Sequence, residues 1–125
     1  MLYAILCYHD EAAVAAWSKS EEDAVMAKLG AVQENLARAG RLGPVARLMP
    51  TTAATTLRKD REPALVIDGP FAETKEQLLG FYVVECTSLE KAIDTARLLA
   101  QTYGNGTGAY EIRPIATFEA GSFAA

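Results

Sequence analysis

The sequence predicts an α+β domain in which helices cover one face of an antiparallel sheet. Three observations carry this. Short apolar runs of strand length alternate with two long segments of helical periodicity. Each helical segment opens on a capping signal. The order is strand, helix, strand, hairpin, strand, helix, strand. Setting the hairpin aside, that order is the split β-α-β plan of ferredoxin-like folds.

Residues 2–8 form an apolar run rich in Leu, Ile and Tyr, which fits a central strand buried on both faces. Residues 9–18 read as a loop or short helical turn carrying Trp17. A helix over roughly 19–39 follows. Ser18 and Glu21 have capping-box spacing, Val25, Leu29, Val32 and Leu36 form one apolar stripe, and Gly40 is suited to close the C-terminus. Residues 41–49 fit a strand kinked at Gly43-Pro44 and ended by Pro50 and Thr51. Residues 54–59 and 64–67 form a hairpin around the polar turn Asp60-Arg61-Glu62-Pro63. Asp68-Gly69-Pro70 breaks the second strand, because Pro lacks the N–H that a ladder needs. Residues 71–77 are a polar connector in which Phe71 is expected to anchor into the core. A strongly strand-like segment runs from Leu78 to Cys86. Thr87 and Glu90 then repeat the capping spacing ahead of a helix whose apolar face is Leu89, Ala92, Ile93, Ala96, Leu99 and Ala100. Residues 104–108 read as a loop, 109–115 as a last strand, and 119–125 as a frayed tail, so that 1–118 form one domain.

With 125 residues, half of them hydrophobic, the chain suits one core. Helices on a single face leave the other face of the sheet apolar, and a chain this short has no third layer for it. A second copy, packed sheet to sheet, is the expected cover, hence a homodimer. No run of residues is long and apolar enough for a membrane span, and the apolar N-terminus ends at once in His9-Asp10-Glu11, unlike a leader. A cytoplasmic location and no membrane partner are therefore expected. The net charge of −4 argues against nucleic acid, and Arg58, Lys59 and Arg61 are interrupted by Asp60. Cys7 and Cys86 sit in apolar strand patterns with no CxxC partner, which predicts small buried thiols.

The chemistry-bearing residues are few. His9 is the sole histidine, at a strand end, and titrates near neutrality when unperturbed. Paired with Asp68 it would form a general acid–base couple, provided the two strand ends adjoin. Tyr8 and Tyr82 are expected at the rim of a ligand pocket. Lys75, flanked by Glu73 and Glu76, is suited to hold an anion. His9, Asp10 and Glu11 are a poor metal set, since adjacent strand residues point to opposite faces. No metal and no cofactor are expected. Gly104, Gly106 and Gly108 follow a helix and precede a strand, the reverse of a phosphate loop, and no G-x-S-x-G is present.

The stretch Asp68-Gly69-Pro70-Phe71-Ala72-Glu73-Thr74-Lys75-Glu76-Gln77 resembles the signature of DGPF proteins within the YCII-related family. Leu79-Gly80-Phe81-Tyr82-Val83-Val84-Glu85, Ser88-Leu89-Glu90-Lys91-Ala92, Glu111-Ile112-Arg113-Pro114 and the Tyr-containing first strand with its acidic pair extend the resemblance along the chain. It implies a dimeric α+β barrel with a pocket between sheet and helices near the DGPF turn. Some YCII-related proteins are lyase-like, with a His–Asp pair for proton transfer whose His lies on the first helix. No His occurs in the first helix here, so that pair does not transfer. DGPF proteins also tend to be encoded beside alternative sigma factors, which implies a signalling or stress role. The resulting expectation is proton-transfer chemistry, lyase- or isomerase-like, on a small molecule near Asp68; the alternative is a non-catalytic ligand-binding or regulatory module.

Overall fold

The computed structural model describes residues 1–104 and 107–123. Its order is β1 (Leu2–His9), α1 (Glu11–Ala15), α2 (Lys19–Arg38), β2 (Leu42–Arg47), a 3-10 turn (Thr51–Ala53), β3 (Thr55–Arg58), β4 (Leu65–Asp68), β5 (Gln77–Glu85), α3 (Leu89–Tyr103) and β6 (Ala109–Pro114). One four-stranded sheet runs β2-β5-β1-β6, every neighbouring pair antiparallel. β3 and β4 form a separate two-stranded sheet. The mixed α+β, ferredoxin-like expectation holds, with the hairpin standing outside the main sheet.

The central strand shows how the sequence places its faces. Along β1 burial alternates, with Tyr3, Ile5, Cys7 and His9 buried and Leu2, Ala4, Leu6 and Tyr8 half-buried. The buried set joins Tyr82 and Val84 of β5, Leu29 of α2, and Ala92, Ala96 and Leu99 of α3 in one core. Cys7 and Cys86 are buried free thiols, as expected. The α2 capping box forms in full: Ser18 Oγ accepts the Glu21 N–H at 3.1 Å, and the Ser18 N–H donates to the Glu21 carboxylate at 3.0 Å.

The short helical turn expected within 9–18 is present as Glu11–Ala15, nucleated by Asp10, whose carboxylate accepts the Ala12 N–H at 3.0 Å. Three local expectations differ from the structure. The cap of α3 is Ser88, which accepts the Lys91 N–H at 3.2 Å, and not Thr87. Thr87 has the better box spacing in sequence, with Glu90 three residues on where Ser88 meets Lys91, but the helix begins one residue later. On α3 itself, Leu89 and Ala100 are exposed and Thr95 is buried. Thr95 tolerates burial because its hydroxyl accepts from the Arg41 guanidinium at 2.7 Å and donates to the Lys91 carbonyl at 3.0 Å. Phe71, expected as a core anchor, is 77% exposed. The connector leaves β4 outside the main sheet and never passes over the core. The loop expected over 104–108 includes residues 105 and 106, and the expected tail includes 124 and 125, all outside the described residues.

Candidate functional site

A cavity of about 100 Å³ lies between the sheet and the two long helices. Gly80 of β5, which pairs with Cys7 of β1 on one side and Arg47 of β2 on the other, forms part of its floor. Glycine is required there by close strand approach, since a Cβ would meet the Ala46 carbonyl oxygen at 2.3 Å. Next to it a bulge leaves Leu79 without a partner on β1, so that His9 falls opposite Gln77.

His9 closes the β1 end of this cavity. It is 4% exposed, and neither ring nitrogen has a hydrogen-bond partner among the described residues. Its ring lies 4.5 Å from that of Tyr103, centroid to centroid, and 6.0 Å edge-on from that of Tyr110. Trp17 continues the stack, 5.1 Å from Tyr103. Buried polar groups in folded proteins are almost always bonded, so two orphaned nitrogens on a ring that lines a cavity require an explanation. Gly108 fixes the ring from behind. Its φ is 100°, and a Cβ there would meet the Tyr8 carbonyl oxygen at 2.4 Å and His9 Nδ1 at 2.7 Å. Gly108→Ala is therefore expected to lower stability by about 1–3 kcal/mol through backbone strain alone. The same variant should shift the His9 ring resonances, and denaturant melts with NMR check both outcomes.

The electrostatics of the cavity are set by burial. Desolvation holds the His9 pKa below its ordinary value, with Glu76 opposing weakly, so the imidazole favours its neutral form. Desolvation likewise raises Tyr82, Tyr103 and Tyr110, which keep their phenol protons, and pushes the Cys7 thiol up to about 12. A thiol so placed is a packing group and not a nucleophile at neutral pH. Gln33 of α2 and Arg47 of β2 complete the polar lining.

A second, open cleft of about 740 Å³ lies along the signature connector and takes in Tyr8, Glu73, Thr74, Glu76 and Gln77. A chain of hydrogen bonds holds its wall. Gln77 accepts the Glu11 N–H at 3.0 Å and donates to the Thr74 carbonyl at 2.6 Å. The Glu11 carboxylate in turn accepts from both the N–H and the hydroxyl of Thr51. At the base of the hairpin the Thr56 hydroxyl donates to the Gly69 carbonyl at 2.7 Å, and Gly69, at φ 98°, turns the chain out of β4. The Asp-Gly-Pro part of the signature thus has a structural account.

The residues singled out in the sequence are therefore divided. His9 and Tyr82 share the helix–sheet cavity, and Tyr8 and Glu73 line the second cleft. Tyr8 and His9 are consecutive on a strand and so point to opposite faces. Asp68 and Lys75 are exposed and line neither space, and no hydrogen bond joins His9 to Asp68. Tyr103, Tyr110, Gln33 and Arg47 are site residues that sequence reasoning did not select.

A model of the YCII-related domain matches residues 1–119, and the chain belongs to that family. It is 57% identical over 121 residues to the uncharacterized protein R00369 of Rhizobium meliloti (strain 1021), an alignment covering 97% of each chain. Neither match names a reaction. Among the described residues no helix is long and apolar enough to cross a membrane.

Proposed function

We propose that this protein binds a small organic molecule in the helix–sheet cavity and that neutral His9 exchanges a proton with it. The observation that carries the reading is the buried, unpartnered imidazole at the cavity wall. A neutral imidazole offers one N–H and one lone pair. Burying both without partners is unfavourable by about 1–3 kcal/mol, which a ligand that bonds them would recover. In this reading Tyr82 is a cavity contact. Tyr8 and Glu73 serve the neighbouring cleft, and Asp68 and Lys75 act outside both spaces, on the hairpin and connector.

The expected chemistry is lyase- or isomerase-like proton transfer. A ligand-binding regulatory module is the second reading, favoured by the absence of a second acid or base bonded to His9. Screening small molecules by the His9 ring resonances tests the site itself. Binding without perturbation of those resonances would refute it. Turnover of any bound compound, lost in His9→Gln, then selects the enzyme over the module.

Ala4 and Leu6 of β1, Ala46 of β2 and Phe81 of β5 lie half-buried on the sheet face away from the helices, with the charged Glu111 and Arg113 at its β6 edge. We infer a homodimer that packs these faces together, as the physics of a one-sided sheet favours. Leu6→Lys places a charge at the centre of that face and is expected to yield a folded monomer by sedimentation. An unchanged sedimentation coefficient in variant and native protein would remove the sheet-to-sheet dimer.

A further inference from the structure

We propose that the ligand of the helix–sheet cavity is a small organic acid bound as its mono-anion, with Arg47 receiving the acid group; this rests on the binding-site reading above. Three observations carry it. First, among the described residues that line the cavity, Arg47 carries the one guanidinium, and no carboxylate lines it. Second, the remaining polar lining, three phenols, the Gln33 amide and His9, can donate to an anion; since each can also accept, the guanidinium sets the preferred sign of charge. Third, the guanidinium is held in place by contacts that a ligand can share or exchange. Arg47 donates to the Glu22 carboxylate at 2.9 Å and approaches the Met26 sulfur at 3.6 Å, both on α2. That ion pair lies at the surface, where such pairs are weak, so a ligand carboxylate can take the place of Glu22.

The dimensions limit the ligand's body. The cavity of about 100 Å³ is smaller than the ~150 Å³ void known to admit benzene, so the enclosed part accepts about four or five non-hydrogen atoms. The acid group then sits at the Arg47 end, and the far end of the molecule reaches His9 between Tyr103 and Tyr110. Glu22 acts as a competitor for the guanidinium and so as a positioning residue for the empty state.

The test uses the full chain and three four-carbon probes of similar shape: butyrate, butyramide and butylammonium. Each is titrated while the His9 ring and Arg47 Nε resonances are followed. Butyrate is expected to bind about tenfold or more tightly than butyramide, the worth of one charge-assisted hydrogen bond, and butylammonium least. Arg47→Gln should erase the preference for butyrate over butyramide while leaving butyramide binding at His9. Glu22→Gln, half-buried on α2 beside Arg47, should tighten butyrate and leave butyramide unchanged. Equal affinity for butyrate and butyramide, or tightest binding of butylammonium, overturns the anion assignment and leaves the cavity reading standing. Failure of all three probes to move the His9 resonances overturns both.

Discussion

Leu99→Ala is expected to lower the free energy of unfolding by about 2–5 kcal/mol, read from denaturant melts at fixed protein concentration. Leu99 is fully buried on α3 and belongs to the same core as Ile5 and Val84, which are also fully buried. Truncation removes the transfer energy of the side chain and leaves a void that the neighbours cannot close. On one side they are β1 and β5, held by their antiparallel ladder; on the other, Ala92 and Ala96 are already minimal in size. The cost is a large part of the ~5–15 kcal/mol by which such domains are stable. A control at Leu98, which is exposed one position away, should change stability by less than about 0.5 kcal/mol. Equal losses at the two positions would mean that α3 does not present this face to the sheet.

That contrast also shows what local pattern conveys. The α3 face is legible at Ala92, Ala96 and Leu99 because a helix repeats its buried side every three to four residues, and α2 is legible through the Ser18–Glu21 box for the same local reason. At α3 the better box, Thr87 with Glu90, yields to Ser88, whose neighbour three residues on is Lys91, so the side-chain spacing alone does not set where this helix begins. Thr95 defeats the apolar pattern because its partner Arg41 comes from a distant part of the chain. Phe71 defeats it because aromatic character predicts burial only where the backbone runs over a core, and the hairpin carries this stretch away.

The site was legible in its centre and not in its surroundings. His9 stands out as the sole histidine at a strand end. The alternation of a β-strand already separates it from Tyr8, a signal present in residues 2–9 alone. Its real neighbours come from α2, β2, α3 and β6, so no spacing in the sequence reports them. Asp68 attracted attention through the distinctiveness of its motif. That motif is explained by a turn at Gly69 and by its hydrogen bond with Thr56, and it says nothing about which way the aspartate faces.

His9→Phe is expected to make the protein more stable while it loses binding in the cavity. A phenyl ring keeps the contacts with Tyr103 and Tyr110, and the adjoining void accepts its extra volume. It also removes two buried nitrogens that lack partners, a relief of about 1–3 kcal/mol at neutral pH. The gain should grow on acidification, by linkage. Desolvation lowers the pKa of His9 in the folded state below the unfolded value near 6.5, so the unfolded chain takes up the proton first. The native protein therefore holds this part of its stability above pH 6.5 and loses it as pH falls toward the folded pKa, below which the loss is complete. The phenylalanine variant has no such component. The difference between the two melting curves, measured from pH 7.5 downward, should be flat at first and then widen below about 6.5. A structural histidine would give the opposite result, a loss of stability on replacement, because its bonded nitrogens would leave their partners unsatisfied. Greater stability joined to lost binding is the pattern of a residue kept for its chemistry at the expense of the fold.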